Sequence, residues 1–366
     1  MNYTHFYKGQ NIIRVFILNL ILLIIVSCTG FSANNDSSTT NQNTSNPDTN
    51  ALFSYKIEES VSYKNLQIFP IIDENAVSDI NYITLSEAID KKIVTIIETG
   101  NVNELSITNT SNNYIFIMAG DIVKGGKQDR TMGEDYIIPP YIKNAPVKSF
   151  CVESGRWSPR GREESDKFSS NSKALSSKDL KLAARKEKNQ SSVWSSVSDQ
   201  QSNLNENLEK ETGNKVEVRS DESSTSLQLA LENEELNKLS EEYRKALKSI
   251  DGFSDKMTGY VYAINGEIYG ADIFGNTLLF NEVKDKLIDA TIVEAISKLD
   301  EFNNNKPVAK DEVEAFLDNA EKGKVKKDEV NSVTDVKTVE SDEIIQFETT
   351  DKKNNEQMIR KSYIVK

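Results

Sequence analysis

Met257–Phe274 reads MTGYVYAINGEIYGADIF. Two runs rich in β-branched and aromatic residues flank Asn265-Gly266, and a two-residue type I′ turn needs positive φ at both central positions, which Asn and Gly tolerate at least cost. The stretch therefore predicts a β-hairpin, 257–264 against 267–274. Just beyond it, Ile288, Ile292, Ala295, Ile296 and Leu299 share one face at helical spacing, predicting a helix over 277–299. Just before it, Leu229, Leu236, Tyr243 and Ile250 recur every seven residues, with Leu239 and Ala246 between them. That pattern predicts a helix over 226–250 that stops at Asp251-Gly252, with Gly252 as C-terminal cap. About three heptads would suit a coiled-coil dimer, but a helix packed on its own domain is the expectation. A further helix is expected over 309–322, then two closing strands over 343–349 and 357–365.

The first half reads mostly as strand. Residues 66–72 (LQIFPII) form a short apolar run in which Pro70 marks an edge strand or a strand end. Residues 84–92 (TLSEAIDKK) open on a capping hydroxyl, carry an acid in the first turn and close on two lysines, which suits a short helix and its dipole. Strands are expected over 93–99, 104–110 and 114–118, separated by turn residues at 100–101 and 111–113, and their short spacing implies antiparallel pairing. Residues 135–138 and 148–153 add two more around Pro139-Pro140. From 161 to 225 the composition turns to Ser, Asn, Lys, Glu and Gln. Within it Val193, Trp194, Val197, Leu204 and Leu208 predict one amphipathic helix near 190–208 amid mobile segments. The expected fold class is α+β: a mostly antiparallel β body with inserted helices and a polar, partly disordered middle segment.

The chain has 366 residues, of which 28% are charged, and a net charge of -13. Such acidity excludes nucleic acid as a bulk electrostatic partner. The N-terminus carries Lys8 and Arg14, then a twelve-residue apolar core, VFILNLILLIIV, then Ser27-Cys28. That core has signal-peptide length, whereas a spanning helix needs roughly 20 residues. Ile25-Val26-Ser27-Cys28 resembles the lipobox of bacterial lipoproteins, in which the cysteine is lipidated and the preceding peptide removed. Residues 1–27 are thus expected to be a leader, Cys28 to be the lipidation site, and 28–51, almost all Ser, Thr, Asn and Asp, to be a disordered tether. Localisation in the bacterial cell envelope, on a membrane through Cys28, is expected. Residues 52–366 are expected to form one domain with a polar insert at about 161–225. The single histidine, His5, falls in the leader, so the mature chain has no imidazole for a Ser-His-Asp triad or a His-ligated metal. Cys151 has no intramolecular partner and reads as a small apolar filler.

Gly120–Trp157 (GDIVKGGKQDRTMGEDYIIPPYIKNAPVKSFCVESGRW) concentrates the chemistry. Its first nine residues approach a phosphate-binding P-loop but end Gly126-Lys127-Gln128, lacking the hydroxyl that would hold magnesium. Gly125 and Gly126 could still bring backbone N–H groups near a ligand, and Lys124, Lys127, Arg130 and Arg156 could neutralise an anion. Asp121, Asp129 and Glu153 are the candidate acids or bases. The bland alternative is that these charges pair with one another and Trp157 covers the edge of a core.

At these residues a family resemblance enters. ITNTSNNYIFIMAGDIVKGGKQDR (107–130), DYIIPP (135–140), FCVESGRW (150–157) and YVYAINGEIYGADIFGN (260–276) resemble the signature blocks of the ARG and rhodanese-phosphatase-superfamily-associated protein domain. Where many members have Glu-His-Gly-Arg-Trp, this chain has Ser154 at the histidine position. The resemblance implies a loose link to ADP-ribose or phosphate metabolism. Two functions are compatible with it. One is a lipid-tethered binding module using Gly125, Gly126, Lys127, Gln128, Asp129, Arg130, Arg156 and Trp157 for an anionic sugar-phosphate-like ligand or a protein partner. The other is a phosphoryl or ADP-ribosyl hydrolase using Asp121, Asp129 or Glu153 with Arg130 and Arg156. In the hydrolase reading those carboxylates act as general base or metal ligand; no cofactor and no resident metal are expected.

Overall fold

The computed structural model describes residues 55–76, 80–160, 167–253, 256–299 and 306–366. The leader, Cys28 and the tether lie outside the described residues, as do 161–166 of the polar insert. The described chain opens with β1 (Tyr55–Ile57), β2 (Val61–Tyr63) and β3 (Leu66–Asp73). Pro70 is not on an edge. β1 covers Ile71–Asp73 and β2 covers Leu66–Ile68 on the same side of β3, so Pro70 falls in the break between them, where no N–H is required. Its carbonyl, on that same side, accepts the Glu58 amide at 2.9 Å.

β4 (Tyr82–Thr84) leads into α1 (Leu85–Asp90), whose N-terminus Thr84 caps by accepting the Glu87 amide at 3.3 Å. β5 (Val94–Glu98) and β6 (Glu104–Asn109) pair antiparallel as expected, whereas β7 (Tyr114–Ile117) runs parallel to β4. β8 (Asp121–Gly125) and β9 (Arg130–Met132) form a hairpin through the signature stretch, followed by β10 (Tyr136–Ile138), β11 (Ala145–Cys151) and β12 (Phe168–Leu175). These strands make a three-stranded sheet, β10-β7-β4, and a six-stranded one, β12-β8-β9-β11-β6-β5.

The described part of the polar insert is folded. It contains α2 (Lys178–Lys181), a π-helical turn (Leu182–Glu187) and α3 (Gln190–Thr212). α3 buries Val193, Val197, Leu204 and Leu208 of the stripe read from sequence but leaves Trp194 half-buried, and it also buries Gln201 and Asn207. Their amides donate to the Ser226 and Ile296 carbonyls, at 3.2 and 3.0 Å. The helix expected over 226–250 is two: α4 (Leu227–Leu231) and α5 (Glu234–Ala246), followed by a 3-10 turn (Lys248–Phe253) that contains Gly252. Asn233 makes the break, its side chain accepting the Glu235 and Leu236 amides at 3.0 and 3.2 Å and so starting a new helix. Leu236, Leu239, Tyr243 and Ile250 face the protein's own core.

β13 (Met257–Ile264) and β14 (Glu267–Phe274) are the expected hairpin, with Asn265 and Gly266 at φ 55° and 78°. α6 (Thr277–Ser297) and α7 (Lys310–Ala320) follow, then β15 (Lys324–Glu329), β16 (Thr334–Glu340), β17 (Ile344–Asp351) and β18 (Gln357–Val365). The charged β15 and the half-exposed β16 carry no apolar run, and sequence reading passed over both. The main sheet is antiparallel throughout, in the order β1-β3-β13-β14-β18-β17-β16-β15 with β2 also on β3.

Both faces of this sheet are covered, which is why all eight residues of β13 are buried. Leu66, Ile68, Tyr260 and Phe274 pack beneath α5 and α6 with Tyr243, Phe280, Leu287 and Ile292. Phe69, Ile71, Val261 and Ala263 pack on the other side against Val313, Phe316 and Leu317 of α7. A separate cluster, including Leu105, Ile107, Ile115, Ile117, Val123 and Ile138, joins the two smaller sheets. Each such side chain contributes about 1.5–3 kcal/mol of transfer free energy. The architecture is α+β, mostly antiparallel, with inserted helices. No helix among the described residues is long and apolar enough to cross a membrane.

Candidate functional site

The β8–β9 hairpin turns at Gly125 and Gly126, with φ of 123° and 57°. A Cβ on Gly125 would meet the Lys167 carbonyl at 2.7 Å, and one on Gly126 would meet Phe168 Cζ at 2.5 Å and Glu98 Oε1 at 2.9 Å. Both amides bond within the protein: Gly125 N–H donates to Asp129 Oδ1 and Gly126 N–H to the Lys167 carbonyl, each at 3.0 Å. Glycine is needed here for backbone conformation and close packing.

Asp129 and Glu153, both fully buried, face the same two arginines. Asp129 Oδ1 lies 2.7 Å from Arg160 and 3.5 Å from Arg156, while Glu153 Oε2 lies 2.7 Å from Arg156 Nε. Asp129 Oδ2 also accepts the Ser226 hydroxyl at 3.0 Å, and the Asp129 amide donates to Glu153 at 3.2 Å. Burial pushes the Asp129 carboxyl above its usual range; Arg160 opposes this and Glu153 adds to it. Gln128 donates to the Glu153 carbonyl at 2.9 Å and accepts from Arg130 at 3.2 Å. Arg130, 2% exposed, also pairs with Glu98 at 3.1 Å and touches Cys151 Sγ.

Most of the candidate residues therefore meet in one place, as a set of mutual ion pairs. Asp121 is apart: it pairs with Lys286 at 2.5 Å and accepts the Met118 amide at 2.8 Å. Lys127 and Trp157 point outward, Trp157 at 58% exposure. Ser154 is half-buried, and its carbonyl accepts the Thr225 hydroxyl at 2.6 Å. Sequence reading missed Glu98, Arg160 and Ser226, which come from β5, from four residues past Arg156 and from the start of α4. For Arg160 alone was there a signal, a second arginine four residues beyond the first.

A second charged cluster lies deeper. Arg360, fully buried on β18, bonds Asp135 at 2.8 Å and Asp272 at 2.5 Å. Asp135 also accepts from Arg185 at 3.0 Å, Thr349 at 2.7 Å and the Ala119 amide at 2.7 Å. Burial works against its ionised form, yet Arg185 and Arg360 outweigh burial and hold the carboxyl well below the usual range. Arg185 stacks 4.1 Å above the Phe347 ring and reaches a cleft of about 390 Å³ between β11, the π-helical turn and β15–β17. That cleft carries Lys148, Lys186, Lys188 and Lys326 opposite Glu104, Glu134, Asp328 and Glu340.

A family model, the ARG and rhodanese-phosphatase-superfamily-associated protein domain, matches residues 54–364. The chain belongs to this family. The domain so defined takes in all three sheets, the ion-pair cluster of the signature stretch and the Asp135–Arg360 cluster. No curated protein and no solved structure matches the chain significantly. Among the described residues of this family member, no group of three or more His, Cys, Asp or Glu side chains is placed to hold a metal ion.

Proposed function

We propose that this family member is a binding module displayed at a bacterial membrane. Its contact surface is the outer side of the signature turn, Lys127 and Trp157 with the edge of Arg156, and it takes an anionic sugar-phosphate-like ligand or an acidic protein surface. One observation carries the reading: Trp157 stands out at 58% exposure on a turn whose neighbouring arginines are locked by Asp129 and Glu153. An exposed indole on a rigid support is a low-entropy contact, and Arg156, next to Trp157, donates to the carbonyl of Gly126, next to the exposed Lys127, at 3.1 Å, which brings positive charge to the same turn of an otherwise acidic protein. The hydrolase reading fits less well, because Asp129 and Glu153 are both committed to arginines. The membrane part rests on Cys28 and its leader alone.

The test is a thermal-shift screen of the chain against ADP-ribose, nucleotides and sugar phosphates, repeated on Lys127→Ala and Trp157→Ala. A ligand at ~100 times its dissociation constant adds about 2.7 kcal/mol of stability. A shift lost in both variants supports the surface; a shift that survives both places the ligand elsewhere. For anchoring, incorporation of a labelled palmitate analogue that Cys28→Ser leaves unchanged would sink the lipoprotein reading.

A further inference from the structure

Around one amine the interior charges converge. Lys181 ends α2 where the π-helical turn begins, four residues before Arg185, and this junction sends both side chains toward the Asp135–Arg360 cluster. Isolated π turns of this kind recur at functional sites. The stem of Lys181 lies across Gly120: a Cβ there would sit 3.1 Å from Lys181 Cε and 3.4 Å from Cγ. Glycine at 120, with φ 93°, thus leaves the space the lysine occupies.

The charges acting on Lys181 are Asp272 from β14, Arg360 from β18, Glu294 from α6 and Asp135 just before β10. Every one of those groups is hydrogen-bonded. Asp135, Arg360 and Asp272 hold one another, and Glu294 accepts the Lys178 amide at 3.1 Å and the Tyr262 hydroxyl at 3.4 Å. The Lys181 backbone amide donates to the Ser177 carbonyl at 2.9 Å, but its side-chain amine makes no hydrogen bond or ion pair among the described residues, and the residue is half-buried. In a cluster where every other charge is satisfied, this amine is left for a ligand.

We propose that Lys181 is a nucleophilic amine that captures an aldehyde or ketone as an imine. The nitrogen lone pair adds to the carbonyl carbon, an N–H proton passes to the oxygen, and the carbinolamine loses water as the C=N bond forms. Burial favours the neutral, nucleophilic form of the amine, and Arg360 adds to this while Asp272 and Glu294 oppose it. Glu294, raised by burial to about 6, is able to supply the proton taken by the departing hydroxyl near neutral pH.

The test uses the full chain in detergent at pH 7 with propionaldehyde and cyanoborohydride, which reduces the imine to a stable secondary amine, followed by mass-spectrometric mapping of modified lysines. Propionaldehyde is neutral, so attraction of an anion does not enter. Lys181 is expected to be modified faster than the exposed Lys324 and Lys327, since a lowered pKa raises the free-amine fraction at pH 7. Modification of Lys181 no faster than of those two lysines overturns the proposal. The comparison is made within the unaltered chain, so it does not depend on a variant folding; Lys181→Met then serves to confirm the mapped position.

Discussion

Arg360 Nη1 donates to Asp135 Oδ1 at 2.8 Å, and neither side chain has any exposed surface. The bond joins the main sheet to the segment entering the three-stranded sheet. Removing one partner of such a pair leaves a buried charge uncompensated. Arg360→Met is expected to cost about 3–5 kcal/mol, read as a lower urea midpoint with unchanged slope. Because the folded-state pKa of Asp135 is depressed, its contribution is present above the unfolded carboxylate range and lost as pH falls through the folded value. Stability of the wild type should therefore decline on acidification, and that of Asp135→Asn should decline less.

The signature pairs behave with the opposite sign. Arg160→Met takes from Asp129 its nearer arginine and leaves only Arg156, at 3.5 Å, facing the buried carboxylate, so a loss of about 3–5 kcal/mol is expected at pH 7. Asp129 already has a raised folded-state pKa, so its protonated form is favoured by folding; the stability this gives is present below the unfolded value and lost as pH rises. The defect of Arg160→Met should thus shrink between pH 7 and pH 4.5 in denaturation experiments. A defect equal at both pH values would mean that Asp129 is not the group left uncompensated.

Glu294 gives a third sign-determined outcome. Its folded-state pKa, about 6 against an ordinary 4.5, means that ionising it opposes folding by about 2 kcal/mol above pH 6. Glu294→Gln keeps an acceptor for the Lys178 amide and removes that charge. The variant is expected to gain relative to wild type as pH rises from 5 to 8, measured by thermal melting.

At Gly126 an added methyl would meet the Phe168 ring and Glu98 and would also strain a left-handed backbone, whereas at Gly100, φ 86°, nothing lies within 4 Å. Gly126→Ala should cost about 2–4 kcal/mol and Gly100→Ala only the ~1 kcal/mol of conformational strain. Equal losses in the two variants would show that packing over the glycine is not what matters.

Much of the fold was legible locally. The Asn265-Gly266 hairpin, the α6 and α7 stripes and the β17–β18 pair follow from turn chemistry and periodicity, which act over a few residues. Pro70 was misplaced because the gap between β1 and β2 that accommodates it is created by strands distant along β3. The single helix expected at 226–250 failed at Asn233, where capping competes with periodicity and wins. β15 was invisible because its residues are charged and exposed, and only its pairing with β16 makes it a strand.

For the site, the sequence located the residues but not their relations. The acids and bases of Gly120–Trp157 could be counted, and the two glycines identified, from residue type alone. Their state depends on Glu98 and Ser226, distant in the chain, and on Arg160 just past the stretch, which bring Asp129, Glu153 and Arg130 into buried pairs. Lys181 shows the same limit from the other side. It is one lysine among many in a polar stretch, and only the meeting of β10, β14, β18 and α6 around it makes its amine unusual. Local chemistry, the turns and caps, was fixed by neighbours in sequence; burial and charge compensation were decided by tertiary structure, because desolvation depends on every element that packs around a group.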